Sequence, residues 1–199
     1  MSSFSTFPKM LGLYYKTSEL RETFYTSEEA TLVQRCLEGE EHAQYELYQK
    51  YVQAMYNVAA RMVPYSEDAE DIIQEVFVKV FRKLDSFQGE STLGAWIKRI
   101  TVNTTLNFIR KNKNKLTTSI EDGLDVPYEE AAINPAEYSM AVIHRAIKQL
   151  PERCRVVLSL FLIEGYQHQE IADILNITVS TSKTQYRRGR MLLQQILKK

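Results

Sequence analysis

The sequence predicts an all-α protein built of two helical domains that are joined by an acidic linker. Apolar residues recur at spacings of three and four along most of the chain, whereas the alternating pattern of strands is almost absent. With 44% apolar residues, the chain can bury real cores. Charged residues interrupt the apolar stretches before any could span a bilayer, and the first residues lack the pattern of a secretory signal. We therefore expect a soluble, cytoplasmic protein without a membrane partner.

Turn-forming residues divide the chain into four segments. A break before Ser66 and a helix start at Pro151 fall inside the helical blocks, whereas turn formers and acids cluster between the blocks. The clustered residues are Glu121, Asp122, Gly123, Asp125, Pro127, Glu129, Glu130, Asn134 and Pro135. The predicted segments are an N-terminal extension (1–26), a first helical domain (27–112), the linker (113–135) and a second helical domain (136–199).

The cysteine and histidine residues do not follow the spacing of a metal site. Cys36 and Cys154 are far apart and belong to no Cys-x-x-Cys pair, and His42, His144 and His168 are equally scattered. We predict reduced thiols, no bound metal and no cofactor.

The charge distribution favours a protein that touches nucleic acid at two places. The chain has 25 basic and 25 acidic residues, which argues against indiscriminate coating of nucleic acid. Two stretches nevertheless carry six basic residues each and no acidic one. They hold Lys98, Arg99, Arg110, Lys111, Lys113 and Lys115, and then Lys183, Arg187, Arg188, Arg190, Lys198 and Lys199. Two such patches suit a phosphate backbone and leave acidic faces for another partner.

The clearest helical pattern begins near Ser66. Its buried stripe consists of Ile72, Ile73, Val76, Phe77, Val80, Phe81 and Leu84. Asp71, Gln74, Glu75 and Val78 face elsewhere, which by itself fits an ordinary solvated face. A carboxylate cluster could instead bind a hard cation in a nucleic-acid-processing enzyme, although acids at a helix N-terminus are explained by the helix dipole alone. That cluster would comprise Glu67, Asp68, Glu70, Asp71 and Glu75.

The next segment combines aromatic and polar residues. A turn with an exposed Phe87 leads into a helix that carries the only tryptophan, Trp96. On sequence grounds alone Trp96 is interpreted as a core residue. Flat side chains and polar groups beside a flexible turn are what unstacked single-stranded bases require. The polar residues of this helix are Asn103, Thr104, Thr105, Asn107 and Arg110.

A helix-turn-helix pattern occupies residues 166–190. The first helix has an apolar face, Asn176 stands where a left-handed residue is wanted, and hydroxyls after it can cap the second helix. The apolar face comprises Ile171, Ala172, Ile174 and Leu175. The second helix suits the major groove through Thr181, Ser182, Lys183, Gln185, Tyr186, Arg187, Arg188 and Arg190. A helical pair with a basic solvent face is the plainer alternative.

These segments together resemble bacterial sigma factors of the extracytoplasmic-function (ECF) type, which keep only sigma regions two and four. The resemblance covers nearly the whole chain after residue 26. Residues 68–83 are similar to the region-two helix that docks on the clamp helices of RNA polymerase. Residues 84–96 are similar to the loop that captures a flipped base of the minus-ten element, and 97–110 to the helix that follows it. Residues 150–155 and 164–175 resemble the opening of region four, whose last helix reads the minus-thirty-five element.

The resemblance implies roles for individual residues. Polymerase contacts would be made by Asp71, Gln74, Glu75 and Val78. Single-stranded minus-ten DNA would be bound by Phe87, Gln88, Gly89, Glu90, Ser91, Trp96, Arg99, Asn103, Arg110 and Lys111. The eight residues of the second helix-turn-helix helix would face the minus-thirty-five duplex. The implied partners are RNA polymerase core (clamp helices and flap of the large subunits), promoter DNA, and an anti-sigma factor or another recruiting protein, with no catalytic residue and no cofactor.

The sequence also departs from the family pattern. Asn176 stands where Gly is usual, and Ser182, Gln185 and Tyr186 replace the more common Val, Arg and Leu. The promoter sequence therefore cannot be copied from other members. Two other functions stay open on sequence grounds: a stand-alone helix-turn-helix regulator that binds duplex DNA tightly without polymerase, and the metal-dependent enzyme described above.

Overall fold

The computed structural model describes residues 27–113 and 139–198, and every regular element within these two ranges is a helix. The all-α prediction is confirmed for them, whereas the N-terminal extension and all but the first residue of the predicted linker lie outside the described residues. Eight α-helices follow one another in these ranges: α1 (Ser27–Leu37), α2 (Glu41–Met62), α3 (Ser66–Lys83), α4 (Leu93–Lys113), α5 (Met140–Lys148), α6 (Glu152–Leu158), α7 (His168–Leu175) and α8 (Val179–Leu197). A 3-10 turn (Leu84–Ser86) follows α3, and a π-helical turn (Ser159–Ile163) follows α6. No helix in the described part of the chain is long and apolar enough to cross a bilayer.

The described residues pack into two compact units. The first packing unit takes in the residues up to Met55 together with Ile73–Thr101. The second takes in Tyr56–Ile72 together with the residues from Val102 onward. These packing units divide the chain differently from the predicted domains, whose boundaries stay a prediction.

In the first packing unit, α3 packs through the part of its apolar stripe that follows Ile72. Phe77 of that stripe meets Tyr48 of α2 edge-on, with ring centroids 4.7 Å apart. Every residue of the predicted stripe is buried except Phe81, which is half-buried, so the helical period assigned to it is confirmed. Tyr51 of α2 donates a 2.7 Å hydrogen bond to the carboxylate of Glu29, which ties α2 to α1.

The second packing unit is built around two apolar clusters. The first cluster joins α2 and α4 to α6, the π-helical turn and α7 through Val58, Met62, Val102, Leu106, Val156, Val157, Leu160 and Ile171. The second cluster joins α5, α6 and α8 through Ala146, Ile147, Leu150, Leu158 and Leu193. Burial of one large aliphatic side chain stabilises a fold by roughly 1.5–3 kcal/mol. The first cluster therefore packs the C-terminal helices against the end of α2 and the middle of α4.

One buried arginine connects three chain segments of the second packing unit. Arg155 of α6 is 5% exposed, and its guanidinium donates to the main-chain carbonyls of Met62 (3.2 Å), Lys148 (3.2 Å) and Leu150 (3.4 Å). Because Met62 and Lys148 end α2 and α5, the cation lies at the negative ends of two helix dipoles. Burial lowers the pKa of Arg155, and the neighbouring Glu152 partly offsets that effect.

A second polar connection lies at the end of α2. Arg61 forms an ion pair with Glu164, and their side chains are only 14% and 6% exposed. The Ser159 hydroxyl donates to the main-chain carbonyl of Arg61 at 3.4 Å. Both contacts tie the π-helical turn and the residue after it to α2.

Helices α6 and α8 approach each other closely at Gly189. A Cβ at this position would lie 3.3 Å from the carbonyl oxygen of Cys154 and 3.2 Å from Leu158. Such contacts are tighter than ordinary van der Waals contacts, so the absence of a side chain is what permits this crossing. This role of Gly189 has no signal in the local sequence pattern.

Candidate nucleic-acid and protein interfaces

Helix α3 presents its predicted protein-binding residues to solvent. Asp71, Gln74, Glu75 and Val78 are all exposed, at the three- and four-residue spacing that keeps them on one helix face. Val78 is 50% exposed, which is unusual for an apolar side chain in the middle of a well-packed helix. Lys79 pairs with Glu75 at 2.7 Å along the same helix. The result is an acidic and amide-bearing face with an apolar centre, suited to a protein partner.

The carboxylates of α3 do not form a metal site in the described structure. No group of three or more His, Cys, Asp or Glu side chains in residues 27–113 and 139–198 is arranged to hold a metal ion. Partial burial raises the pKa of Asp68, and the nearby charges of Asp71 and Glu67 raise it further. This mutual repulsion follows from their positions in the first turns of α3, where the helix dipole favours acids.

The loop between α3 and α4 contains a buried glycine and exposed polar groups. Gly89 is buried with φ 71°, a left-handed conformation that glycine adopts without strain. Gln88 and Glu90 on either side are exposed, whereas Ser91 is half-buried. The Thr92 hydroxyl accepts a 3.2 Å hydrogen bond from the Ala95 amide and so caps the start of α4. The loop therefore presents the side chains of Gln88 and Glu90 to solvent.

Phe87 and Trp96 form an aromatic pair across this loop. Their ring centroids are 5.4 Å apart and the rings are inclined by 50°. Both side chains are half-buried, so Phe87 is less exposed than its sequence context indicated, and Trp96 is not fully in the core. The pair offers a partly accessible aromatic surface beside the polar loop.

One face of α4 carries the predicted minus-ten residues. Arg99, Asn103, Arg110 and Lys111 are all exposed. Asn107, for which the family resemblance implies no DNA contact, is exposed on the same face.

Two hydroxyls predicted for the polar side of α4 point inward instead. Thr104 is 2% exposed and Thr105 is 0% exposed, because the helical period turns them toward the apolar side. Thr101 is buried as well, and its hydroxyl donates to the Ile97 carbonyl at 3.0 Å. The interpretation of Thr104 and Thr105 as surface groups was wrong.

Helices α7 and α8 are joined by a tight turn. Asn176 has φ 53° and ψ 52°, the left-handed conformation predicted for it. The Thr178 hydroxyl accepts from the Thr181 amide at 3.0 Å, which confirms the predicted cap of α8. At the start of α7, the main-chain N–H of Gln167 donates to the Glu170 carboxylate at 2.7 Å. Both helix starts are therefore fixed by side-chain hydrogen bonds.

The residues predicted to read duplex DNA divide between two sides of α8. Lys183 and Arg187 are exposed, and so are Ser180 and Thr184, which were not assigned to DNA. These four residues follow the i, i+3, i+4, i+7 spacing of a single helix face. We call them the outer stripe of α8. Thr181, Tyr186, Arg188 and Arg190 are half-buried, whereas Ser182 is 0% and Gln185 8% exposed.

The buried polar residues of α8 have partners inside the unit. The Ser182 hydroxyl lies 2.9 Å from Nδ1 of His168, and the Cys154 thiol donates to Oε1 of Gln185 at 3.2 Å. Since their side chains are occupied in packing α8 against neighbouring helices, these two residues are poorly placed to read bases in this arrangement. The outer stripe has the accessible groups instead.

An aromatic cluster supports the start of α7. The His168 ring stacks on Phe161 with centroids 4.2 Å apart and an angle of 15°, and the Tyr186 ring lies 4.6 Å from Phe161. Burial lowers the pKa of His168, and the charge of Lys183 lowers it further. The neutral imidazole is therefore the form that this packing favours.

Arg110 contacts α7, a helix that is distant from it in sequence. Its guanidinium donates at 2.8 Å to the main-chain carbonyl of Ile174, in the last turn of α7, and at 3.2 Å to the Asn107 side chain. Arg110 also lines a groove of about 230 Å³ together with Thr181 and Gln185 of α8. The contacts of Arg61, Arg110 and Arg155 were missed because partners distant in sequence have no local signal.

Two family models match this chain. The model described as Sigma-70 region 2 matches residues 47–115, and the one described as Sigma-70, region 4 matches residues 140–193.

Curated proteins and solved structures also resemble the chain. The ECF RNA polymerase sigma-E factor of Escherichia coli strain K12 is 31% identical over 170 residues, which are 80% of this chain and 88% of the relative. The RNA polymerase sigma-H factor of Pseudomonas aeruginosa is 29% identical over 177 residues, 83% of this chain and 92% of the relative. The solved complex of the sigma factor RpoE with the anti-sigma factor NepR from Bartonella quintana aligns over 77% of this chain and 96% of that chain. It has 23% identity and a TM-score of 0.52, which supports the helical fold.

Proposed function

This chain belongs to the ECF RNA polymerase sigma factors, and we propose that separate surfaces of it contact polymerase core and promoter DNA. ECF sigma factors direct RNA polymerase to promoters, and as one of them this protein is a transcription initiation factor without enzymatic activity. Different residues contact polymerase, the separated strands and duplex DNA.

The polymerase surface is the outer face of α3, with Asp71, Gln74, Glu75 and Val78 as its contacts. The observation that carries this assignment is the 50% exposure of Val78 at the centre of an otherwise polar face. An exposed apolar side chain ringed by polar groups is typical of protein interfaces. The occupant would be the clamp helices of polymerase core, while the C-terminal domain would meet the flap.

Minus-ten DNA is bound as a single strand by the loop after α3 and the exposed face of α4. The Phe87 and Trp96 pair supports stacking of an extruded base, and base stacking on aromatic side chains contributes roughly 1–3 kcal/mol per base. Polar loop groups and the cations of α4 would hold base edges and phosphates. These residues are Gln88, Gly89, Glu90, Ser91, Arg99, Asn103, Arg110 and Lys111.

Duplex DNA of the minus-thirty-five element is read by α8. Lys183 and Arg187 of the outer stripe are the accessible cations, and Ser180 and Thr184 are added to the proposed contacts because they lie on the same face. Arg188 and Arg190 flank the stripe as phosphate contacts. Ser182, Gln185 and Tyr186 pack α8 against its neighbours. They influence DNA binding by holding α8 in position and do not contact the bases.

Two further parts of the proposal concern partners and location. The proposed regulator is an anti-sigma factor, since the solved structure of the sigma factor RpoE from Bartonella quintana is a complex with the anti-sigma factor NepR. The site of action would be the cytoplasm, where polymerase and promoters are found. A stand-alone DNA-binding regulator is the alternative function, and it would need no polymerase.

The proposal is tested by mixing the purified chain with bacterial RNA polymerase core and measuring co-elution and run-off transcription from genomic fragments. We expect a complex with core and new transcription start sites that depend on the chain. Tight binding to specific duplex DNA without any core complex would contradict the proposal and favour the stand-alone regulator.

A further inference from the structure

The exposed face of α3 continues beyond Val78 to the end of the helix. Arg82 follows Val78 by four residues and is exposed, and residues four apart lie on the same helix face. At about 100° per residue, Arg82 and the four residues of the proposed polymerase surface fall within an arc of about 100°. The next residue, Lys83, is also exposed, but it lies about 80° outside that arc. Arg82 therefore shares the face of the proposed surface, whereas Lys83 does not.

The charges on this face change sign along the helix. Asp71 and Glu75 precede the exposed Val78, and Arg82 follows it. The distance from Asp71 to Arg82 along the helix axis is about 16 Å at 1.5 Å per residue. A partner that matches the face must carry its charges in the opposite order, with basic groups against the acids and an acidic group against Arg82.

Arg82 has no charge partner among residues 27–113 and 139–198, because it forms no ion pair with any of them. Other cations nearby in the first packing unit are paired: Lys50 lies 3.4 Å from a carboxylate oxygen of Glu29, and Lys79 lies 2.7 Å from one of Glu75. A guanidinium carries a planar fork of donors that matches a carboxylate. The fork of Arg82 is therefore available to an acidic group of another molecule.

The helix dipole by itself explains a cation at the end of α3, but it does not explain on which face the cation lies. Arg82 and Lys83 both lie in the last turn of the helix, where a positive charge is stabilising. That effect depends on the distance from the helix end, so it acts on both residues alike. A role of Arg82 beyond helix stability must therefore distinguish it from Lys83.

From these observations, and on the basis of the proposed function, we infer that Arg82 is a further contact to RNA polymerase core, which binds a carboxylate of core and fixes the direction in which core lies along α3. The acids of α3 and Arg82 are opposite charges on either side of the apolar contact at Val78. A core segment docked in the reverse direction would place like charges against each other at both ends, which disfavours that arrangement. Val78 alone would accept both directions.

The first test compares Arg82→Glu with Lys83→Glu in the full chain. Both variants replace an exposed cation at the end of α3 by a carboxylate, so they change the net charge and the helix dipole interaction equally. Affinity for core is measured without DNA by competition against a labelled sigma factor, and melting temperatures show whether both variants fold. We expect Arg82→Glu to weaken binding by at least about tenfold at low salt and by less at high salt, because salt screens charge interactions. Lys83→Glu should stay within about twofold of wild type at both.

The second test identifies the acidic partner. Arg82→Lys keeps the positive charge and supplies an amine, which a carbodiimide couples to a carboxylate in direct contact with it. We expect this variant to bind core within about threefold of wild type. Treatment of its complex with carbodiimide should produce a cross-link from position 82 to an aspartate or glutamate of core, identified by mass spectrometry. Wild-type chain cannot form this cross-link, because a guanidinium does not react as an amine does.

The outcomes separate this inference from the proposed function. Equal affinities of Arg82→Glu and Lys83→Glu for core, or the absence of a cross-link from position 82, would overturn the inference while leaving the sigma function intact. Normal core binding by Arg82→Glu together with weaker promoter melting would place Arg82 among the DNA contacts and would also overturn it. If wild-type chain bound no core at all, the proposed function would fail and this inference would fail with it.

Discussion

The Nε atom of Arg155 donates a 3.2 Å hydrogen bond to the main-chain carbonyl of Met62, the last residue of α2. Ninety-three residues separate the two in sequence, and the bond joins the C-terminal helices to the end of α2. Together with the carbonyls of Lys148 and Leu150, it surrounds a buried guanidinium with main-chain acceptors.

Arg155→Met should lower the free energy of unfolding by about 2–4 kcal/mol, because it keeps apolar volume but leaves buried carbonyls without a donor. Chemical denaturation of the full chain measures the effect. Arg145→Met, at an exposed position of α5, is the control and should change stability by less than about 0.5 kcal/mol. Equal stability of the two variants would contradict this prediction. It would mean that water can replace the guanidinium at these carbonyls.

Replacing both cations of the outer stripe should weaken binding of the polymerase complex to promoter DNA and flatten its salt dependence. Each lost phosphate contact reduces the slope of log K against log salt concentration by about 0.9, so Lys183→Ala with Arg187→Ala should reduce it by about 1.8. Lys198→Ala removes an equal charge just beyond the far end of α8 and serves as control. An unchanged slope in the double variant would remove both residues from the phosphate contacts.

Thr184→Ala and Gln185→Ala should behave differently although they are neighbours in sequence. Thr184 is exposed on the outer stripe, so its loss should change promoter preference at one or two base positions without changing the melting temperature. Gln185 is buried and accepts from the Cys154 thiol, so its loss should lower the melting temperature first. Binding measured across a library of minus-thirty-five sequences, together with thermal melting, distinguishes the two. The reverse assignment of effects would mean that α8 presents its other face to DNA.

Val78→Asp should reduce the affinity for polymerase core by at least about tenfold, since a charge would be desolvated at the centre of the proposed interface. Tyr45→Asp introduces the same charge at a 62% exposed aromatic position of α2 and should leave core binding unchanged. Competition against a labelled sigma factor for core gives both affinities. Equal affinity of the Val78 variant and wild type would exclude this face of α3 from the polymerase contact.

Acidification should destabilise the second packing unit through two histidines. Burial lowers the pKa of His144, and the charges of Arg61 and Lys148 lower it further. Burial and the charge of Lys183 also lower the pKa of His168. A base with a lowered pKa in the folded state binds fewer protons there than in the unfolded chain, so its stabilising effect is complete above the ordinary histidine pKa of about 6.5 and is lost as pH falls below it.

Melting temperatures at pH 7.5 and pH 5.5 test this expectation. The wild-type chain should melt at a lower temperature at pH 5.5, and His144→Gln with His168→Gln should reduce that difference. His42→Gln, at an exposed position of α2, is the control and should leave the difference unchanged. A pH effect that persisted in full in the double variant would have to come from other groups.

Local signals in the sequence were sufficient to predict that the chain is helical and to predict where several of its helices begin or end. The apolar period of three and four located the buried stripe of α3, and its complement correctly identified the exposed face around Val78. Asn176 and the Thr178 hydroxyl marked the turn between α7 and α8, because their conformational and capping preferences act within a few residues. The sequence motifs, read in order, also identified the family.

Only the tertiary structure decided which polar side chains face inward and which distant segments meet. Ser182 and Gln185 are buried because α8 packs this side against His168 and Cys154, which are distant in sequence, and no local pattern distinguishes a covered polar face from an open one. Bonds such as Arg110 to Ile174 and Arg155 to Met62 join residues 64 and 93 positions apart. Their formation depends on how apolar clusters align helices in three dimensions, which is a property of the packed chain and not of any segment of it.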